Sequence, residues 1–314
     1  AAGDAASVRA HAHFFTEQAD RHGGGHVRAP LAAYLAALAR TLRASGSTPT
    51  VRTRHGGWTL RAVEHDQLLA GAARLSYLLA RVYVDEQRHG LAQRTFRAAG
   101  ELAEEAGVPA EAAFARRALS TQAHQLGHRQ DSLALAEAAC AIAPPDTEPS
   151  ARSFLYAGLA VAAAGTGRRT AALGALRQAE RELSHADALG GGPIGGYQEA
   201  ALQYQTGRVR ACLGDRAGAI AELRDSLRSR APDERRARAL SHAELAELLL
   251  AEERLDEACA AWEVFLSDCS MVRSGRARRA RARIPALLRP YARQECVQAL
   301  LARSDAQQRG HCTQ

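Results

Sequence analysis

One pattern of small and apolar residues recurs through most of this sequence at intervals of about 40 residues, a period typical of helical-pair repeats. Each copy has a turn, then a small residue, then apolar residues at helical spacing. The five copies are Gly90-Leu91-Ala92 with Phe96 and Ala99; Gly127 with Leu133, Ala136 and Ala139; Gly167 with Ala172, Leu176 and Ala179; Gly214 with Ala219, Ile220 and Leu223; and Leu255 with Ala258, Trp262 and Phe265. One helix pair cannot bury its apolar face alone, so the pattern predicts five pairs stacked side by side.

The rest of the composition also favours helices. Aromatic residues make up 5% of the chain, and almost no segment alternates Val, Ile or Thr with polar residues as a strand does. We therefore predict an all-α fold: a right-handed superhelical solenoid of about five helix pairs with N-terminal helices and a C-terminal capping helix. The predicted divisions are an N-terminal helical cap over 1–60 (helices at 5–22 and 28–44), repeats over 61–270 and basic capping helices over 271–314.

Small residues are predicted to let paired helices approach closely. They are Ala80, Ser120, Ala160, Gly207 and Ala246 on the first helices, and Ala92, Ala172, Ala219 and Ala258 on the second helices. The glycine at the turn, which the fifth copy lacks, is expected to supply the left-handed backbone conformation that ends a first helix.

Over residues 64–270 this spacing resembles the tetratricopeptide repeat, lengthened and degenerate, with Tyr83 as the clearest consensus aromatic. The resemblance implies that the first helices line a concave groove that binds a peptide, a protein or a small anionic ligand. It places these residues in the groove: Arg74, Tyr77, Arg81, Arg117, Thr121, His124, Gln125, Tyr204 and Arg208, with Phe154 and Val161 as an apolar centre and Glu247 at the far end. The planar guanidinium group of arginine can donate two parallel hydrogen bonds to a carboxylate or a phosphate.

A wider resemblance rests on Val8-Arg9-Ala10-His11, Ala33-Tyr34-Leu35, Gly90-Leu91-Ala92-Gln93-Arg94 and Ser274-Gly275-Arg276-Ala277. These stretches look like the sensor region of high-GC bacterial helix-turn-helix (XRE-type) transcriptional regulators, which implies a sensor module preceded by a DNA-binding domain. Residues 1–60 contain no convincing helix-turn-helix, because Gly23-Gly24-Gly25 is expected to be too loose to hold a recognition helix. A stand-alone adaptor or scaffold is the alternative, and an enzyme on a helical scaffold is a third.

The net charge of +7 is unevenly distributed. All 41 basic residues are arginine, as a high-GC genome would encode, and the repeats carry an excess of acids. Eight arginines without an intervening acid lie between Arg273 and Arg293. Either this is a solvated capping helix, with Ile284, Leu287 and Leu288 as its apolar stripe and Pro285 and Pro290 breaking it into pieces, or it contacts DNA weakly.

Other function classes have little support. No apolar run reaches the length of a membrane span, the six cysteines have no metal or disulfide spacing, and no nucleophile motif occurs. The pairs His11/His13 and His124/His128 lack a third ligand and are interpreted as surface or helix-end side chains, and Gly190–Gly196 as a flexible connector. We expect a cytoplasmic protein without cofactor, metal or catalytic activity. Whether it forms a homodimer is left open. Ala1 is not a native start, so either the initiator is removed or a segment is missing.

Overall fold

In a computed structural model that describes residues 4–46, 60–186 and 198–311, the described chain is entirely helical, with short connections. The helices are α1 (Ala5–His22), α2 (Gly24–Gly46), α3 (Leu60–Asp85), α4 (His89–Glu105), α5 (Pro109–Gln125), α6 (Arg129–Ile142), α7 (Pro149–Gly165), α8 (Arg169–Ser184), α9 (Glu199–Cys212), α10 (Arg216–Ser229), α11 (Arg235–Ala251), α12 (Leu255–Cys269), α13 (Gly275–Leu288) and α14 (Glu295–His311), with a 3-10 turn at Arg289–Tyr291. The predicted all-α, tetratricopeptide-like architecture is confirmed.

Five antiparallel pairs form the repeats, from repeat 1 (α3 and α4) through α5–α6, α7–α8 and α9–α10 to repeat 5 (α11 and α12). The small residues predicted at the helix contacts are buried, as Ala80, Ala160 and Ala246 show with no exposed surface. On the second helices, Ala92, Ala172, Ala219 and Ala258 are equally inaccessible. Close approach of small residues is therefore what joins each pair.

The turn inside each pair uses one residue in the left-handed region. Gly127, Gly167 and Gly214 have φ of 86°, 78° and 86°, as the sequence predicts. In repeats 1 and 5 this position is held by Gln87 and Glu253, with φ of 64° and 58°. The expectation for Gly90 was wrong, because α4 begins at His89 and Gly90 lies inside that helix.

The N-terminal helices contact both ends of the array. Helices α1 and α2 pack on α3, and α1 also contacts α11. The Arg273 amide donates to the His22 carbonyl at 2.8 Å, and the Gly25 amide donates to the Arg273 carbonyl at 3.1 Å. A Cβ on Gly23 would lie 2.5 Å from the Arg273 carbonyl oxygen. The expected loose glycine turn is thus a close backbone contact, with α2 starting at Gly24 instead of near residue 28.

The basic segment forms one helix. The Ser274 side chain caps α13 by accepting from the Ala277 amide at 3.2 Å. Pro285 does not break the helix as expected, and α13 continues to Leu288 before the 3-10 turn. Helix α14 then packs on α12 and α13.

None of the described helices has an apolar stretch long enough to cross a membrane. The thiols of Cys140, Cys212, Cys259, Cys269 and Cys296 are free, and Cys212 is exposed. One of the sequence interpretations, the Gly190–Gly196 connector, lies outside the described residues.

Candidate functional site

The first helices of the repeats surround a cavity of about 540 Å³, which we call the central cavity. Tyr77, Phe96, Phe114 and Phe154 provide its apolar surface. These rings pack in pairs, with centroids 5.5 Å apart for Tyr77 and Phe96 and 5.9 Å apart for Phe114 and Phe154. Thr121, Gln125, Ser150, Gln198 and Gln205 add polar groups to the wall. Apolar surface with a few placed polar groups is typical of a ligand site.

A second cavity, the N-terminal cavity, has a volume of about 470 Å³ and lies where α1 covers α3 and α5. Its apolar wall includes Ala12, Ala73 and Leu78. It shares Asp20, Tyr77, Arg81, Phe114 and Glu234 with the central cavity. Because these five residues border both spaces, the two cavities adjoin.

The two cavities differ in charge. The described lining of the central cavity contains five arginines and three acids, an excess of two positive charges: Arg81, Arg117, Arg230, Arg236 and Arg276 against Asp20, Asp85 and Glu234. The described lining of the N-terminal cavity contains four arginines and five acids, an excess of one negative charge: Arg9, Arg21, Arg74 and Arg81 against Glu17, Asp20, Glu111, Asp233 and Glu234. The negative excess comes from the shared Asp20, Arg81 and Glu234, because the residues that border only the N-terminal cavity are three arginines and three acids. Positive charge is therefore concentrated in the central cavity.

Between the cavities, an ion-pair network connects α1, α3 and α11. Asp20 Oδ1 accepts from Arg81 at 3.1 Å and from Arg236 at 3.0 Å. Burial alone would raise the pKa of Asp20, but these two guanidiniums lower it below its ordinary value. The buried Asp85 accepts from Ser274 Oγ at 2.8 Å and lies 3.7 Å from Arg236. The network fixes the wall between the two cavities.

Arg117 and Arg276 contribute positive charge to the central cavity in different ways. The Arg117 guanidinium lies 3.7 Å from the centroid of the Phe154 ring, and its Nε donates to the Phe154 carbonyl at 3.3 Å. Arg276 is half-buried at the start of α13 and has no carboxylate within ion-pair distance in the described chain. Its charge is available to a ligand.

Glu111 is the least satisfied acid of the N-terminal cavity. Its Oε1 accepts from Arg74 Nε, whereas its Oε2 is buried without a hydrogen-bond partner in the described part of the chain. Burial raises the pKa of Glu111, and the attraction of Arg74 only partly opposes this shift.

Six of the nine predicted site residues line these cavities. Arg74 borders the N-terminal cavity, Tyr77 and Arg81 border both, and Arg117, Thr121 and Gln125 border the central cavity. The apolar centre was predicted at Phe154 and Val161; Phe154 lines the central cavity, but Val161 is buried in the core between helices.

The other three, His124, Tyr204 and Arg208, do not line either cavity. The Tyr204 hydroxyl donates to Glu244 Oε2 at 2.7 Å, and Arg208 Nε lies 3.7 Å from Glu244 Oε1. Burial, together with Glu244, raises the pKa of Tyr204 to about 12. Tyr204 and Arg208 are therefore both paired with Glu244 inside the protein, whereas the buried His124 Nδ1 has no hydrogen-bond partner among the described residues.

His124 lies near the same cluster, at the end of α5. Burial lowers its pKa to about 4, and the positive charges of Arg208 and Arg129 add to the effect. Its ring is close to Gly165, where an added Cβ would lie 2.7 Å from His124 Cε1. At neutral pH this imidazole is therefore uncharged.

The histidine pairs are not arranged around a metal. Within the described ranges, no three His, Cys, Asp or Glu side chains could hold an ion. His11 is half-buried and stacks on Tyr34 with centroids 4.2 Å apart, so its interpretation as an exposed side chain was wrong. His128 is exposed at the N-cap of α6, not at a helix C-terminus.

Several lining residues were not selected from the sequence. Phe114 lies 40 residues, one repeat unit, after Arg74, so the repeat period could have predicted it as a site residue. Asp20 and Arg276 lie outside that pattern, since they reach the site through the contact of the chain ends, and Glu234 is the N-cap residue before α11. The eight-arginine run is also partly engaged: Arg279 donates to Gln87 at 3.0 Å and Arg283 pairs with Glu247 at 3.1 Å.

Comparisons with known proteins give distant structural similarities. No protein-family model and no curated protein matches the sequence. BtubC (BKLC) from P. vanneervenii aligns with a TM-score of 0.45 and 17% identity over 80% of this chain and 91% of that one. A Rap protein complexed with competence and sporulation factor gives 0.48 and 11% over 98% of each chain. The Rap conjugation gene regulator of the plasmid pLS20, in complex with the Phr* peptide, gives 0.49 and 12% over 98% of this chain and 95% of that one. Such distances assign no ligand to this chain.

Proposed function

We propose that this protein is a binding module that takes an extended peptide into the two adjoining cavities. The observation that carries the proposal is that the central and N-terminal cavities, about 540 and 470 Å³, adjoin along the shared residues Tyr77 and Phe114. Each volume is within the range of sites that enclose most of a small ligand. Together they suit an elongated ligand better than a compact one.

The lining has the chemistry that a peptide requires. The rings of Tyr77, Phe114 and Phe154 offer flat apolar surface to side chains. Gln125 and Gln205 make no side-chain hydrogen bond within the described residues, and an amide group both donates and accepts. Such groups match the alternating N–H and C=O groups of an extended backbone.

The finer proposal is that peptide binding makes this module the sensor of a transcriptional regulator, with DNA contacted by a preceding domain. It rests on the resemblance to helix-turn-helix regulators described from the sequence. A cytoplasmic location, the absence of catalysis and weak DNA contact through Arg273–Arg293 remain predictions of the same proposal. The alternative is an adaptor that binds a partner protein without sensing, and an upstream reading frame encoding a helix-turn-helix would decide for the regulator.

A small anionic ligand is the second candidate, favoured by the two excess positive charges of the central cavity. Arginine pairs bidentately with carboxylate and phosphate groups. Such a ligand would occupy the central cavity and leave the N-terminal cavity empty, whereas a peptide would contact both.

The test is affinity selection from a random hexapeptide pool on the immobilised protein, with retained peptides quantified by mass spectrometry. Ala201 lines the central cavity, so Ala201→Trp should fill it and reduce retention by about tenfold or more. The matched control is Ala171→Trp, at an exposed position of α8 away from both cavities, which should retain peptides as the parent protein does.

Equal retention by the two variants, or no retention by the parent protein, would contradict peptide binding in these cavities. If inorganic phosphate or citrate raised the melting temperature while no peptide was retained, the small anionic ligand would replace the peptide.

A further inference from the structure

The N-terminal cavity contains one carboxylate oxygen that the protein does not satisfy. The Glu111 side chain is 9% exposed, and Arg74 uses only its Oε1. Its Oε2 is buried and lacks a hydrogen-bond partner among the described residues. A buried acceptor without a donor is unfavourable, so a ligand that donates to this oxygen would offset that cost.

The charges around Glu111 permit a positively charged donor. The residues that border only the N-terminal cavity are three arginines and three acids, so this cavity lacks the positive excess of the central one. Glu17 and Asp233 pair with the same guanidinium, Arg21, at 3.0 and 3.3 Å. An ammonium group has three donors and no acceptor, so it can donate to Glu111 Oε2, whereas a carboxylate cannot.

The central cavity has the opposite preference. Arg276 has no carboxylate within ion-pair distance in the part of the chain that the structure describes, and Arg117 holds its guanidinium over the Phe154 ring at the same wall. Two more arginines than acids line this cavity. A carboxylate fits a guanidinium with two parallel hydrogen bonds, which makes the central cavity the place for a negatively charged group.

A peptide with free ends has both groups, one at each terminus. We propose, on the basis of the peptide-binding function above, that the protein binds a short peptide in one direction. The N-terminal ammonium lies against Glu111 in the N-terminal cavity, and the C-terminal carboxylate faces Arg276 in the central cavity. The protein is thus a receptor for free-ended peptides and discriminates against the same sequence inside a longer chain.

The experiment uses the full chain and four versions of one random hexapeptide pool: free ends, N-acetylated, C-amidated, and blocked at both ends. Retention is measured by mass spectrometry. Acetylation and amidation should each reduce retention by the parent protein by about tenfold. In Glu111→Gln the effect of acetylation should disappear while that of amidation persists, and in Arg276→Gln the reverse should hold.

Circular dichroism melting confirms that both variants are folded, and the four pools on the parent protein test the proposal without any variant. Retention of all four pools to the same extent would overturn the end recognition while leaving peptide binding intact. If amidation were sensed through Glu111 and acetylation through Arg276, the proposed direction would be wrong. Failure to retain any pool would instead refute the proposed function itself.

Discussion

Repeats 1 and 4 carry the same two residues at equivalent positions, with different outcomes. Tyr77 and Arg81 on α3 correspond to Tyr204 and Arg208 on α9, since each arginine directly follows the small residue at the helix contact. Tyr77 and Arg81 border both cavities, whereas Tyr204 and Arg208 bond to Glu244 on α11. Both arginines have a carboxylate partner, so the repeat position sets which way each side chain points, and the neighbouring helix sets where its ion pair lies. The Arg81–Asp20 pair borders both cavities, whereas the Arg208–Glu244 pair borders neither.

The largest expected effect comes from removing that carboxylate. Glu244→Ala should lower the free energy of unfolding by about 2 kcal/mol, because Arg208, whose side chain is 16% exposed, would lose its counter-charge together with the acceptor of Tyr204. Urea denaturation measures the change. The matched control on the same helix is Glu247→Ala, whose partner Arg283 is 54% exposed and whose loss should be below about 1 kcal/mol. Equal losses of stability in the two variants would contradict the role of Glu244 in holding Arg208 and Tyr204 inside the protein.

A smaller difference should separate the two tyrosines. Tyr204→Phe removes a hydrogen bond to a carboxylate and should lower the free energy of unfolding by about 1 kcal/mol, moderated because Glu244 keeps Arg208. Tyr77 has no hydroxyl partner within the described ranges, so Tyr77→Phe should change stability by less than about 0.5 kcal/mol. Thermal melts of the two single variants make the comparison. A larger loss at Tyr77 would contradict our assignment of Tyr204 as the tyrosine whose hydroxyl is hydrogen-bonded inside the protein.

The smallest effect concerns pH. The pKa of His124 is lowered from an ordinary 6.5 to about 4, so between these values the unfolded chain binds a proton that the folded protein does not. The contribution is present in full above pH 6.5 and is lost as the pH falls towards 4. Because the ring is only partly buried, we expect a loss of less than about 1 kcal/mol.

Denaturation of the parent protein and of His124→Gln at several pH values isolates the contribution of His124 to stability. The exposed His128, four residues later at the N-cap of α6, provides the control as His128→Gln, which should keep the pH dependence of the parent protein. If the difference between parent and His124→Gln were constant from pH 7 to pH 4, His124 would not be the titrating group.

The sequence allowed the repeat architecture to be predicted because the period depends on local packing. Alanine or glycine at the helix contacts and apolar residues at helical spacing indicate five pairs without any knowledge of distant contacts. Even the exceptions are local, since Gln87 and Glu253 occupy the turn position that glycine holds in the other three repeats. The same period placed Tyr77, Arg117 and Thr121 correctly along the cavity wall.

The rest of the site could not be predicted, because it depends on contacts between distant parts of the chain. Asp20 pairs with Arg236 across 216 positions, and Ser274 donates to Asp85 across 189. No repeat period relates these residues. For the same reason, the pattern could not show that Arg208 is neutralised by Glu244 whereas Arg276, in a run that looked like a solvated cap, faces the central cavity.

The contact between His22 and Arg273 also changes what kind of repeat protein this is. In an open array each terminal unit has a single neighbour, so such proteins can lose units one at a time from an end. Here α1 and α2 cover repeat 1, α13 and α14 follow repeat 5, and the two coverings are hydrogen-bonded backbone to backbone. Unfolding the helices at either end breaks contacts that the helices at the other end also make. The first and last helices are therefore coupled into one cooperative unit, as in a globular domain.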